Sequence, residues 1–320
     1  MAFKSPDLPK KGLWRRTPPA VFPPIMGLFG LGLGWRRMVD DTGLPPGLAE
    51  VVLGAVTLLF TFAVLAYTAK LLRRPGVILE DLRVLPGRAG LAAMVLCPYL
   101  LVLTLLPYAG NLTGLFYGGL VCHGIFVILL IWVLVRGPAE QRRVTPVWHL
   151  SFVGFIIAAL AAIKIGLGSL SLLLFVLTFL IAAAIWAVSA ERLITEKTPP
   201  PLRPLLAIHL SPAALFGLVA KAQELEVVAA GFAVLSAILL GAMILYARWL
   251  TEAGFSALWG AFTFPLAATA ALWLTIGGIW FYPGVIVLLA ASVIVPWIAF
   301  RVMKLWASGR LATVTNAAVA

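Results

Sequence analysis

Along this chain apolar residues do not alternate with polar ones. They come in ten long blocks, at 21–35, 51–69, 89–107, 112–135, 147–163, 169–190, 205–220, 227–247, 256–276 and 285–303. A helix needs about 20 apolar residues to cross the hydrocarbon of a bilayer, and most blocks approach or exceed that length. A lipid-spanning sheet would need the two-residue alternation of a closed barrel, which no block shows. The pattern predicts an all-α integral membrane protein with ten transmembrane helices in one domain, 21–303. That domain lies between an exposed N-terminal tail, 1–20, and a C-terminal tail, 304–320.

The blocks differ in texture. The even-numbered ones are runs of Leu, Val, Ile and Ala, whereas the odd ones carry helix breakers: Pro23, Pro24, Gly27, Gly30, Gly32 and Gly34, then Pro98, Gly154, Pro212 with Gly217, and Pro265. Pro24, Pro98, Gly154, Pro212 and Pro265 mark a helical hairpin repeated five times, at intervals of 53 to 74 residues. Proline inside a helix removes a backbone hydrogen bond and bends the axis, and hydrocarbon cannot solvate the freed carbonyl. Five kinked odd helices are therefore expected as an inner ring around a central pore, inside five regular even helices. The competing reading is that these residues only ease helix packing. Pro296, late in the tenth block, is the exception to the alternation.

Composition agrees with lipid as the solvent. Of 320 residues 62% are hydrophobic, and 24 Lys and Arg with 12 Asp and Glu are the whole charged complement, where a soluble chain this long carries roughly 80. Mean hydropathy is +1.06. All the Lys and Arg fall on one set of alternate connections except Arg36, Arg37, Lys164 and Lys221. By the positive-inside rule both termini are cytoplasmic, in a multi-pass protein of the cell's inner (plasma) membrane. The same rule accounts for the net charge of +12, so nucleic acid is not an expected partner; the lipid bilayer is. Residues 73–88 are expected as a surface segment with Arg73, Arg74, Arg83 and Arg88 turned to anionic headgroups. The first twenty residues lack the apolar core of a signal peptide and are expected to remain attached.

Candidate chemistry is sparse. Cys97 and Cys122 lie in apolar blocks, and His123, His149 and His209 are spread over three blocks without ligand spacing, so neither a metal site nor a cofactor is expected. There is no phosphate loop, no H-E-x-x-H and no nucleophile elbow, which argues against an enzyme. His209 is a candidate pH sensor, beside the plainer reading of a packed histidine.

Four stretches resemble one family. Gly27-Leu28-Phe29-Gly30-Leu31-Gly32-Leu33-Gly34-Trp35-Arg36 is similar to the first-helix pattern of the superfamily that holds the tellurite-resistance protein TehA, the plant slow-type anion channels and the malic-acid (C4-dicarboxylate) transporters. Trp259-Gly260-Ala261-Phe262-Thr263-Phe264-Pro265 resembles its ninth-helix stretch of a Trp followed by T/S-F-P, Leu210-Ser211-Pro212-Ala213 its seventh-helix motif with Ser211 in place of a proline, and His149-Leu150-Ser151-Phe152-Val153-Gly154 with Lys164 its fifth helix. The resemblance implies a homotrimer with a pore in each protomer, closed midway by a phenylalanine that maps to Phe264. Phe155 stands where the plant channels carry Asn, and their long regulatory tails have no counterpart, so kinase gating is not expected.

No Lys, Arg, Asp or Glu lies mid-block in an odd helix, which favours weak binding and fast passage of an anion. Its expected contacts are the positive ends of interrupted helices and the hydroxyls of Ser151, Ser211 and Thr263, with Gly27, Gly30, Pro98, Gly154, Pro212 and Pro265 lining or bending the pore. Gly30 and Gly34 fit close helix packing equally well. Arg36, Lys164 and Lys221 are candidates for a cationic outer mouth, although Asp40, Asp41, Glu50, Glu224 and Glu226 share that face and anchoring at the interface explains the cations as well. The expected function is a channel for small inorganic anions, chloride and nitrate. The alternative is a carrier for tellurite, sulfite or C4-dicarboxylates such as malate.

Overall fold

The computed structural model describes Gly12 and residues 14–320. No strand occurs among the described residues. The helices are α1 (Phe22–Thr42), α2 (Gly47–Arg73), α3 (Val77–Arg83), α4 (Leu85–Leu105), α5 (Thr113–Arg136), α6 (Phe155–Lys164), α7 (Gly168–Thr195), α8 (Leu210–Ala222), α9 (Glu226–Leu245), α10 (Ala247–Leu250), α11 (Thr263–Ile276), α12 (Phe281–Ala307) and α13 (Arg310–Val314). Eight described helical stretches are long and apolar enough to cross a membrane. The first and fifth blocks are the two outside that set. Helix α1 ends on Arg36, Arg37, Asp40 and Asp41, and His149–Lys164 is short.

Packing follows the texture of the sequence. In the breaker-bearing stretches Leu85–Leu105, Pro200–Ala222 and Ala257–Ile276, 61–72% of the most apolar window is buried within the protein, against 28–33% in α2, α5, α7, α9 and α12. Helix α1 packs on α4, α4 on α6, α6 on α8, α8 on α11, and α11 back on α1. Helices α2, α5, α7, α9 and α12 each pack on the preceding member of that series. Breakers need protein around them, because an unpaired carbonyl in hydrocarbon costs several kcal/mol.

Apart from Pro98, the marker residues do not sit mid-helix, where the sequence placed them. Pro24, Pro212 and Pro265 sit in the first turns of α1, α8 and α11, each helix being entered from a tighter 3-10 turn: Pro19–Val21, Pro200–His209 and Ala257–Phe262. A first-turn N–H has no partner within its own helix, so proline there costs little. Helix α6 is entered from a π-helical turn, His149–Val153. Of the five markers, Pro98 alone lies beyond the first turn of an α-helix.

Two peripheral expectations are corrected. Arg88 does not reach toward headgroups; it is buried and its Nε donates to the Leu82 carbonyl, while Arg74 forms a paired contact with Glu80. Residues 14–20 are not an exposed tail. Thr17 and Ala20 are buried, and Thr17 lies in a cluster in which Lys70 Nζ contacts Asp81 Oδ2 at 2.8 Å and donates to the Thr17 carbonyl at 3.0 Å. The Tyr67 hydroxyl and the Ala318 N–H also donate to the Asp81 carboxylate, so this cluster holds the segment after α13 against α2 and α3. Residues 1–11 and 13 of the predicted tail lie outside the described residues.

Candidate functional site

The five inner segments converge on one small apolar cavity. Its wall takes Met26 from α1, Leu96 from α4, Leu150, Val153 and Gly154 from the π turn and its junction, Ser211, Pro212 and Leu215 from α8, and Phe264 from α11. Its volume is about 10 Å³, room for about one water molecule. A second cavity, about 20 Å³, lies toward the starting ends of the same five segments and is lined by Pro23, Pro86, Ala89, Leu205, Ala257 and Ala261 among others. Leu150 and Ile208 line both. No Lys, Arg, Asp or Glu lines either.

Phe264 is the second residue of α11 and is 5% exposed. Its ring faces α1, where a Cβ on Gly30 would stand 3.1 Å from Cδ2 and 3.2 Å from Cε2. Gly27, one turn earlier, faces Thr263: a Cβ there would lie 2.3 Å from both Cβ and Oγ1 of the threonine. These two glycines bring α1 onto α11 and do not line either cavity. Gly154 lines the first cavity, and a Cβ on it would collide with the Leu150 carbonyl at 2.4 Å and with Leu96 Cδ2 at 2.5 Å.

The hydroxyls fare differently from one another. Ser211 reaches the cavity wall. Thr263 Oγ1 is spent on backbone, at 2.7 Å from the Gly260 carbonyl and 3.1 Å from that of Pro23. Ser151 is fully buried, donates to the Val147 carbonyl, and accepts a contact from His123 at its own carbonyl. Neither Thr263 nor Ser151 lines a cavity. Pro98 turns its ring toward Gly119 on α5 and is likewise off the cavity wall, and Pro265 is buried beside Phe264. The helix starts are not open either: Thr263 N–H bonds the Gly260 carbonyl and Ile157 N–H that of Gly154. Phe155 stacks on His123 at 3.7 Å between ring centres, facing α5 rather than the cavity.

The candidate outer cations separate into two kinds. Arg36 grips Glu50 through two contacts of 2.7 and 2.8 Å and caps the Leu103 and Thr104 carbonyls at the end of α4. Lys221 is paired with Glu226. Lys164 is exposed at the end of α6.

One relationship was not foreseen. His149, on the cavity wall, meets His209: Nε2 of the first and Nδ1 of the second are 3.0 Å apart. The sequence treated the histidines as scattered. The hairpin repeat held the signal, since His149 and His209 each shortly precede their own repeat marker, Gly154 and Pro212. No group of three or more His, Cys, Asp or Glu side chains suited to a metal ion occurs among the described residues.

Against this geometry, the model of the voltage-dependent anion channel family (SLAC1) matches residues 16–305. The chain belongs to that family. The match covers all five inner segments and both cavities. Voltage-dependent anion channel family members are channels and transporters rather than enzymes, so anion movement across a membrane is the activity at issue. A comparison with curated proteins finds no match.

Proposed function

We infer that this protein is a channel for small inorganic anions, chloride and nitrate, whose path runs through the two cavities of a single chain and is closed at Phe264. The observation that carries this reading is the convergence of all five inner segments on one uncharged constriction with Phe264 in its wall. An apolar constriction of this width excludes a water column and closes by dewetting. The absence of a fixed charge at either cavity favours brief occupancy over tight binding. In this reading α1 and His149–Lys164 also cross the bilayer, making ten spans in five hairpins. Both termini are cytoplasmic, in the inner (plasma) membrane. The family resemblance supports assembly as a homotrimer with one path per chain.

Gly154, Ser211 and Pro212 are the lining residues of the path, and Gly27 and Gly30 set the approach of α1 to the gate. Thr263 and Ser151 act on the backbone rather than on the ion. Lys164 is the outer cation left for drawing anions, since Arg36 and Lys221 are engaged.

Voltage clamp tests the reading directly. Phe264→Ala is expected to carry large currents whose reversal potential follows the chloride and nitrate gradients, with the wild type nearly silent. Electrical silence in both proteins, with saturable uptake of labelled malate or sulfite, would replace the channel by a carrier.

A further inference from the structure

The histidine pair presents a proton count that the anion path, as described, does not use. A neutral imidazole has one N–H donor and one lone pair. The contact between His149 Nε2 and His209 Nδ1 consumes one of each. Whichever ring donates, one N–H and one lone pair remain, on His149 Nδ1 and His209 Nε2. Both of those atoms are buried and have no hydrogen-bond partner. The pair is held in place from the side by Trp186, whose Nε1 donates to the His209 carbonyl and whose ring lies 5.4 Å from that of His149.

Ionisable side chains on the surrounding elements leave the pair alone. On α4, Arg88 bonds the Leu82 carbonyl, Tyr99 contacts His123, and Cys97 is buried. On α7, Arg192 donates to the Val144 carbonyl and Glu191 is exposed. Arg203 pairs with Glu252, and Arg248 of α10 is exposed. Lys164 and Lys221 stand at the far ends of α6 and α8, and α11 with the turn before it carries no charged residue. Among the described residues no carboxylate touches either ring, so a proton placed on the pair has no fixed counter-ion.

Adding one proton to the remaining lone pair gives both outer nitrogens an N–H and gives the pair a charge of +1. A buried cation with two free donors requires an anion; the adjoining cavity, lined by His149 though not by His209, has room for about one water-sized particle and has to widen slightly for a halide. We propose that the His149–His209 pair is an anion-binding site in the constriction, loaded by one halide-sized anion together with one proton. This rests on the reading of the cavity as the anion path. It adds that occupancy of that path is linked to acidity: the pair binds a proton and a chloride as a unit, and by linkage each raises the affinity for the other.

The experiment is proton uptake by the purified full chain in weakly buffered detergent, on addition of sodium chloride or sodium gluconate, between about pH 5 and about pH 8. Chloride is expected to draw up to one proton per chain and gluconate none. His149→Gln and His209→Gln should each abolish the uptake, and Arg248→Gln, at an exposed position of α10, should keep it. Glutamine retains a donor and an acceptor, and a cooperative thermal transition checks that each variant folds; the variant that folds decides. No uptake by the wild type, or uptake unchanged in the histidine variants, overturns the site. Chloride-linked uptake with no current through Phe264→Ala would leave the site standing and remove the channel reading.

Discussion

The Phe264 ring rests on Gly30, so close that a methyl group at position 30 would stand 3.1 Å from the ring edge. Ring and glycine are complementary across α1 and α11, and the volume one lacks the other fills. Gly30→Val should therefore destabilise the protein by about 1–3 kcal/mol through overpacking. In a Phe264→Ala background part of that loss should vanish, because the ring is gone while the Ala267 methyl, also 3.1 Å from the added Cβ, remains. Thermal unfolding of the two single variants and the double variant measures the coupling. Simple additivity would mean that the ring does not lie against α1.

Phe262 offers a control for the proposed gate at Phe264. It is as buried as a core residue, two positions before Phe264, yet lines neither cavity. Phe262→Ala should cost about 3–5 kcal/mol as a core truncation and leave the current near the wild-type level. Phe264→Ala should raise the current at least tenfold. Equal currents through the two variants would assign the leak to general loosening of α11 and not to removal of a gate.

Much of this arrangement could be read from the chain because its cause is local. Breaker residues need protein around them, so they marked the buried stretches, and the interval between markers gave the order of the inner segments. What escaped the sequence depends on rotation and on distant pairs. The 3-10 turn before α11 changes the angle per residue, so Thr263 turns to the backbone while its neighbour Phe264 faces the cavity. Periodicity of a uniform helix cannot foresee that. Arg36 looked like a free cation because Glu50 and the end of α4 are brought to it only by tertiary packing. The meeting of His149 with His209 is of the same kind.

Arg36 and Lys164 should now behave differently under the same substitution. Arg36→Gln removes two charged contacts to Glu50 and leaves the Leu103 and Thr104 carbonyls without their donor. A loss of about 1.5–3 kcal/mol in stability is expected, with little effect on the current per folded channel. Lys164→Gln should leave the unfolding midpoint unchanged and lower anion current mainly at low ionic strength, where a surface charge acts over a longer range. Comparing the two at low and high salt decides which cation serves the ion. A salt-independent Lys164→Gln current equal to the wild type would reduce that residue to an interfacial anchor.

The Thr263 hydroxyl, predicted from sequence to meet the anion, donates instead at 2.7 Å to Gly260. Thr263→Val keeps the shape and removes the donor. The expected cost is about 0.5–1.5 kcal/mol of stability, with the chloride to nitrate permeability ratio of the Phe264→Ala channel unchanged. Ser211→Ala, which alters the cavity wall itself, should shift that ratio. Reversal potentials in mixed chloride and nitrate solutions separate the two; a shift produced by Thr263→Val would place its hydroxyl in the path.

Lys70 and Asp81 are both fully buried, 2.8 Å apart, and surrounded by donors and acceptors: Tyr67 and the Ala318 N–H on the carboxylate, the Thr17 carbonyl on the ammonium. Two desolvated charges repay little net stability as a pair, but removing one leaves the other uncompensated. Asp81→Ala strands the Lys70 ammonium and frees the Ala318 N–H, so a loss of about 3–5 kcal/mol is expected. Lys70→Met combined with Asp81→Leu removes both charges and should recover much of that loss in the helical core. It cannot restore the bond to Ala318. The double variant should therefore unfold near the wild-type midpoint while its C-terminal segment becomes open to a carboxypeptidase or to rapid amide exchange. If the segment stays protected in the double variant, contacts other than Asp81 hold it, and the buried pair serves only to join α2 to α3.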